Sequence, residues 1–266
     1  MASTPDSSVH QRFSSRAGLL LSTLGVAVGT GNIWRFPRIA AVNGSDDGAG
    51  AFLFTWFVFL FAWSIPLIVA EYALGRRTRQ APVGVFVRSA GPRFAWMGGF
   101  LAGTASAIAF YYSVICGWCL YYLLWVVRSP LPTSTAAAVA VWDDFQSGMW
   151  PVVFHAAALV LVALCVWKGV ESIEKVNKVF MPALLAIVLA SAIRAVTLPG
   201  AWEGVAYLFT PDWTQLTDPR VWLEALTQNA WDTGAGWGMF LVYAAYMRKE
   251  ELIVKNAALT AGASSA

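Results

Sequence analysis

Hydrophobic positions along this chain run in long unbroken blocks, and short clusters of charge separate them. Alternation with a period of two marks a half-buried strand, and a 3.6-residue stripe marks a water-facing helix. A block that is apolar on every side marks a helix out of water, and roughly 20 such residues cross a bilayer. The first block is uncharged over residues 17–34 and the second over 48–70. A third, over 94–127, is too long to cross upright and is expected to tilt or project. Residues 145–167 form a fourth. A fifth, over 179–202, is interrupted by Arg194, and a sixth, over 225–247, by Asp232. The pattern predicts an all-α polytopic membrane protein with six transmembrane helices, at about 17–42, 50–75, 94–127, 148–168, 177–198 and 221–247.

Charge in the loops orients the bundle, because lysine and arginine favour the cytoplasmic side. With the N-terminus inside, that side holds Arg12 and Arg16, then Arg76, Arg77, Arg79, Arg88 and Arg93. It also holds Lys168, Lys175, Lys178, Arg248, Lys249 and Lys255, so most of the 18 basic residues lie there. Asp46, Asp47, Asp143, Asp144, Glu203, Asp212, Asp218 and Glu224 fall on the opposite side. Residues 1–16 therefore read as a cytoplasmic N-terminus and 17–247 as the transmembrane bundle. Residues 248–266 read as a cytoplasmic tail that stops short, and the membrane as the plasma (inner) membrane. Residues 129–148 read as an extracellular loop, and 199–219 as another with a short surface helix near 202–207.

Composition narrows the class. Charged residues make up 12% of the chain, against about 25% in soluble domains. With 58% hydrophobic residues and 14% aromatic, neither a water-facing fold nor a disordered chain is tenable. A net charge of +3 with no basic patch argues against nucleic acid. Cys116, Cys119 and Cys165 all fall in apolar stretches, without polar surroundings or a second Cys pair, and read as buried structural thiols rather than a metal site.

Two blocks carry what a lipid-facing helix avoids. In the first, Val28-Gly29-Thr30-Gly31-Asn32 lies mid-membrane, followed by Arg35 and Pro37. In the sixth, Asp232-Thr233-Gly234-Ala235-Gly236-Trp237-Gly238 does the same. Glycine at alternate positions weakens a helix and opens its backbone. Close helix packing would account for the glycines, but not for an asparagine beside one set and an aspartate beside the other. Unwound backbone at membrane depth is tolerated only where it lines protein or a wet cavity. There its carbonyls hold cations and half-helix N-termini face anions. If the repeat is five helices long, spans one and six are equivalent, which is where secondary transporters place their substrate.

Gly29-Thr30-Gly31-Asn32-Ile33-Trp34-Arg35-Phe36-Pro37 resembles the signature of the neurotransmitter:sodium symporters, the sodium-coupled amino-acid and amine transporters. Further landmarks resemble that family along the whole chain. Asn43-Gly44 and Gly48-Ala49-Gly50-Ala51-Phe52 match the start of helix two, with Ser45-Asp46-Asp47 inserted. Ile65-Pro66-Leu67, Glu71 and Leu74-Gly75-Arg76 match its end, and Tyr111-Tyr112 a tyrosine pair on helix three. Residues 174–182, Phe209-Thr210-Pro211-Asp212, and Tyr246 with Arg248-Lys249 follow in order. The resemblance implies the first half of an inverted-repeat sodium-symporter fold, helices one and six unwound, and sodium-coupled symport.

The same resemblance implies roles. A first sodium ion would take the Ala27 carbonyl, the Asn32 side chain and Asp232; a second would take the Gly25 and Val28 carbonyls. Amine carriers of the family place an aspartate at the position of Gly29. Glycine leaves the Thr30 and Gly31 amides free for a carboxylate, which the Tyr112 hydroxyl would also meet, so an amino acid or related small carboxylate is expected. Ile108, Trp231, Gly234 and Trp237 would line the side-chain pocket. Arg35 would be the extracellular gate, paired in the family with an acid on a late helix, and Glu71 would hold helix-six backbone groups. Asp232 departs from the Thr or Ser usual there. In chloride-dependent members that region touches the anion together with the equivalent of Gln228 and a tyrosine that is here Trp56. Either Asp232 replaces the anion, making transport chloride-independent and proton-sensitive, or it meets a cationic group of the substrate.

An intramembrane serine protease also fits six spans, but needs a histidine base facing a serine. Only His10 and His155 exist, and the sixth span has neither, so no enzyme is expected. The remaining alternative is a non-transporting fragment or accessory subunit, since the resemblance covers only the family's first half. The expected partners are thus an amino-acid-like substrate, sodium, the bilayer and a missing C-terminal half. Without that half the chain is expected neither to hold sodium tightly nor to transport.

Overall fold

The computed structural model describes residues 13–28, 31–247 and 251–264, and among them every regular element is helical. The first span is in two pieces. Ser15 starts α1 (Arg16–Ala27), its hydroxyl accepting the Gly18 amide at 3.0 Å. After the break come a single π turn (Gly31–Arg35) and α2 (Phe36–Val42). The second span joins α3 (Gly50–Phe59), another π turn (Leu60–Ser64) and α4 (Ile65–Thr78). Sequence reading missed both π turns, and they share one cause. Each runs into a proline at the start of the next helix, Pro37 and Pro66. Proline has no N–H to donate, and its ring crowds the carbonyl four residues back. Widening the turn before it relieves both.

α5 (Pro82–Ala90) is short and amphipathic, and α6 (Ala95–Arg128) is the long third span. Residues 129–148, expected as a loop, instead contain α7 (Thr135–Ser147). Its alanine run is a strong helix former, and the Ser134 hydroxyl caps it by accepting the Ala137 amide at 3.2 Å. α7 meets α8 (Trp150–Val166) at 77°. α9 (Val170–Val196) starts earlier than the apolar block, and α10 (Ala201–Phe209) is the expected surface helix. The sixth span is α11 (Pro219–Thr233), a break, and α12 (Met239–Ala245). Among the described residues, three unbroken stretches, Gly50–Thr78, Pro92–Arg128 and Val170–Val196, are long and apolar enough to cross a membrane, and α7 with α8 makes a fourth if counted as one bent span.

The tail read as polar contains a further helix, α13 (Ile253–Ser264). Ala257 and Ala261 on it are fully buried, and the Thr260 and Thr23 hydroxyls lie 3.2 Å apart. Alanine and threonine carry too little hydropathy for a span signal, yet a four-residue spacing gives the helix a buried face. The thiols also differ from expectation. Cys116 and Cys119 are exposed, because only the stripe of α6 marked by Gly98 and Gly117 is buried.

The core lies where the second span meets α12. Phe52, Trp56, Ile68 and Tyr72 pack with Phe240 and Ala244. Gly75 permits a close approach: a Cβ there would press on the Leu241 carbonyl oxygen and sit 2.8 Å from the Ala244 Cβ.

Candidate functional site

α11 stays helical through Asp232 and Thr233, so the unwound stretch of the sixth span is narrower than expected. It consists of 234–238, where Gly234, Gly236 and Gly238 take φ of 66°, 88° and 75°. That left-handed backbone is open to glycine at no steric cost. The amides so freed need acceptors. Glu71, on α4, supplies one: its Oε1 accepts the Gly236 amide at 2.8 Å and the Gly238 amide at 3.4 Å. This is the backbone-holding role expected of it.

Asn229 ties the outer half of the span to the π turn of the second. Its Nδ2 donates to the Trp56 carbonyl at 2.9 Å, and its Oδ1 accepts from the Ser64 hydroxyl. Thr233 donates its hydroxyl to the Asn229 carbonyl at 2.8 Å. All of these side chains are buried. A buried polar network of this kind fixes one arrangement, because each member is costly to leave unpaired.

A cavity of about 530 Å³ opens between the two broken spans, α6, α8 and α9. Of the residues singled out from sequence, Gly25, Ala27, Asn32, Ile108, Tyr112, Trp231 and Trp237 line it. The Tyr112 and Trp231 rings stack at 6.1 Å and 23°, and Trp237 meets Trp231 edge-on at 5.2 Å. Three aromatic rings from α6, α11 and the break thus form one wall. Gly31 begins the π turn. Gly29 and Thr30 lie outside the described residues. Val28, Gly234, Asp232 and Arg35 are not among the lining residues. Gly234 lies against Val26, whose side chain a Cβ there would approach to 3.3 Å.

Arg35 and Asp232 belong instead to a line of polar groups on α11. Arg35 donates to the Gln228 Oε1, and Gln228 Nε2 donates to Asp232 Oδ1 at 2.6 Å. Glu224, one turn further out, lies 4.0 Å from Arg35. Gln228 therefore faces the cation with its carbonyl and the carboxylate with its amide, coupling the two charges without direct contact. Sequence reading looked for the acidic partner of Arg35 on a later helix; in this chain Glu224 and Gln228 are its neighbours.

Sequence reading missed the inner end of the cavity. Ser22 and Asn177 line it with Val162, Met239 and Tyr243. Asn177 Oδ1 lies so close to the Gly25 backbone that a Cβ there would be 2.7 Å away. Its position between Lys175 and Lys178 disguises it as part of a solvated face. Below it, Glu174 accepts the Ser14 amide at 2.7 Å and pairs with Lys178 at 2.7 Å, fastening the start of the described chain to α9.

The sequence profile of the Sodium:neurotransmitter symporter family matches residues 10–150 and 143–266. An uncharacterized sodium-dependent transporter of Methanocaldococcus jannaschii is 34% identical over 259 residues, covering 93% of this chain and 51% of that protein. The inactive sodium-dependent neutral amino acid transporter B(0)AT3 of Homo sapiens is 32% identical over 281 residues, covering 94% of this chain and 44% of that protein. The crystal structure of MhsT in complex with L-phenylalanine has the same fold, with a TM-score of 0.85 at 33% identity over 96% of this chain and 58% of that one. The chain spans about half the length of the curated relatives it matches.

Proposed function

The chain belongs to the sodium:neurotransmitter symporter family, whose members are integral membrane transporters and not enzymes, and from that premise we propose that it is the first half of a sodium-coupled symporter for an amino acid or related small carboxylate. The observation that carries this reading is the single cavity where Ala27, Asn32, Tyr112, Trp231 and Trp237 meet. At its edge, the Ala27 carbonyl and Asn32 side chain hold one sodium ion together with Asp232, which lies outside the lining, and the Gly25 carbonyl holds a second with that of Val28, also outside it. The Thr30 and Gly31 amides, left free by glycine at position 29, meet the substrate carboxylate together with the Tyr112 hydroxyl. Ile108, Trp231 and Trp237 surround its side chain, Gly234 leaves room beside Val26, and Arg35 closes the outer side. The bundle over 17–247 sits in the plasma membrane with its N-terminus in the cytoplasm.

Transport needs a second half to complete the ion sites and to rock against. The test is uptake of radiolabelled amino acids into cells expressing this chain alone, or with a complementary half from a relative. The pair is expected to take up substrate with sodium, and Tyr112→Phe to lower that uptake about tenfold for one charge-assisted hydrogen bond. The chain alone is expected to be inert, the behaviour of a non-transporting fragment. Sodium-driven uptake by the chain alone would overturn the requirement for a partner.

The line from Arg35 through Gln228 to Asp232 supports chloride independence. A carboxylate held beside the ion site supplies the negative charge a chloride would bring, and repels the anion itself. Replacing chloride with gluconate is expected to leave uptake unchanged, and Asp232→Thr to make it chloride-dependent. Uptake by the unmodified pair that rose steeply with chloride would sink the assignment. A substrate range dominated by lysine, arginine or diamines would instead give Asp232 the substrate's cation.

A further inference from the structure

α6 and α8 touch closely in mid-course, and a cleft opens between them further out. A Cβ on Gly117 would sit 2.8 Å from the His155 amide nitrogen, and one turn inward the Ser113 hydroxyl lies 2.9 Å from His155 Nε2. Beyond that contact the two helices enclose a cleft of about 180 Å³. Tyr121, Leu124, Trp125 and Arg128 form its α6 wall, at the spacing of one helix face. Trp150 and Phe154, on the first turns of α8, form the other, with Ser129 at the end of α6.

The chemistry of this lining is one-sided. A guanidinium and two indoles donate hydrogen bonds and accept none, and no carboxylate lines the cleft. Arg128, Trp125 and Trp150 make no hydrogen bond or ion pair among the described residues, and Arg128 is exposed in the last turn of α6. Donors left without acceptors around one positive charge call for an anion rich in oxygen. Apolar surface continues outside the cleft: Leu123 and Val127 on α6, and Met149, Val152 and Val153 at the start of α8, are all exposed. A whole drug-sized ligand needs roughly 300 Å³ or more. This cleft therefore takes one end of a molecule whose remainder lies along the helices. Tryptophan and arginine at the ends of apolar helices also stand where phospholipid headgroups lie.

We propose that this cleft binds a phospholipid of the outer leaflet, its phosphate held by Arg128 with the Trp125 and Trp150 indoles and an acyl chain lying along the seam of α6 and α8. The leaflet follows from the orientation proposed above. The site needs a membrane but not transport, so its failure would leave the symporter reading standing. A guanidinium fork meets phosphate oxygens in pairs, which an ammonium does not. A free phosphate would share the donors and leave the apolar flank bare, and a neutral diacylglycerol would share the flank and leave the donors unpaired. An arginine that only reaches up to the headgroup layer has no saturable site.

The test is calorimetric titration of the purified chain in detergent micelles with short-chain phosphatidylglycerol, a diacylglycerol of the same chain length and inorganic phosphate. Saturable binding of phosphatidylglycerol is expected, roughly tenfold tighter or more than either of the others, as for one charge-assisted hydrogen bond. Arg128→Gln breaks no hydrogen bond or ion pair with a described residue, and it is expected to remove that advantage. Arg128→Lys, and Trp125→Phe, which keeps a ring but deletes the N–H, should each lose part of the affinity. Arg194→Gln, in the last turn of α9, should leave it unchanged. Circular dichroism of each variant checks that the helices remain. Unchanged phosphatidylglycerol affinity in folded Arg128→Gln would overturn the site, and so would an equal loss in Arg194→Gln, the mark of general surface charge. Equal binding of the diacylglycerol would overturn the role of the phosphate, and equally tight inorganic phosphate would overturn the lipid as occupant.

Discussion

The second span and the fifth are both long and strongly apolar, yet they live in different surroundings. In the most apolar stretch of Gly50–Thr78, 33% of residues are buried within the protein; in that of Val170–Val196 only 6% are, as in Pro92–Arg128. Hydropathy reports that a helix avoids water and is silent about what it meets instead. The difference is written in the polar residues. The second span buries Thr55, Ser64, Glu71 and Thr78 along its whole length, whereas α9 buries one, Glu174, near its start. Buried polar groups require partners; Ser64 and Glu71 find theirs in the broken sixth span, while Thr55 and Thr78 donate to carbonyls one turn back in their own span. The broken sixth span is thus organised around one that does not break.

Removing the partner should show the largest effect. Glu71 accepts two amides of the break, and a hydrogen bond to a charged group contributes about 1.5 kcal/mol or more. Glu71→Ala is expected to destabilise the chain by about 3 kcal/mol in detergent, read from thermal unfolding by circular dichroism. Glu71→Gln keeps the oxygen that accepts both amides and loses only the charge, so it should lose at most roughly half as much. An alanine variant as stable as its parent would break the claim that the second span holds the sixth.

A pair of glycine substitutions sharpens the contrast through its sign. At Gly75 a new Cβ would sit 2.8 Å from the Ala244 Cβ and press on the Leu241 carbonyl. Gly75→Ala should cost about 2 kcal/mol, typical of overpacking. Gly103, on α6, has nothing within 4 Å of its would-be Cβ. Gly103→Ala should be neutral or stabilising by up to about 1 kcal/mol, the helix preference of alanine. Unfolding midpoints that moved in the same direction would mean that α6 is as closely packed as α4.

How much of this was legible follows the same division. Long apolar blocks located the long helices Gly50–Thr78, Pro92–Arg128 and Val170–Val196, since length and hydropathy suffice for that, and the glycine clusters located both breaks. The cavity walls were legible where a motif marked them, as with Asn32, Tyr112, Trp231 and Trp237. Features set by partners were not. Asn177 reads as one polar residue among lysines until α1 is laid against it. The π turns follow from Pro37 and Pro66, a signal that was present and unread. α13 escaped because alanines bury well while adding little hydropathy, and α7 because a Ser/Thr/Ala run between prolines looks like a loop until its cap is seen.

The smallest expected effect lies at the outer rim, where the chain after α10 is laced to the start of the second span. The Ala49 amide donates to the Tyr207 carbonyl and the Gly50 amide to the Thr210 carbonyl, each at 2.9 Å. Just beyond, the Asp212 carboxylate accepts the Thr214 hydroxyl at 2.6 Å and its amide at 3.0 Å. These bonds, the hydroxyl first, hold the Asp212 carboxyl below the ordinary aspartate range. A folded-state value lowered in this way stabilises the protein above the unfolded value, about 3.9. That contribution fades as pH falls through the folded value, because the unfolded chain takes up its proton first. Asp212→Asn should therefore melt slightly below the parent at neutral pH, and the two curves should converge in acid. The side chain is on the surface and screened by solvent, so the gap should be small and should shrink in salt. A gap that persisted unchanged in acid would trace the loop's anchoring to its backbone bonds with the second span rather than to the carboxylate's charge.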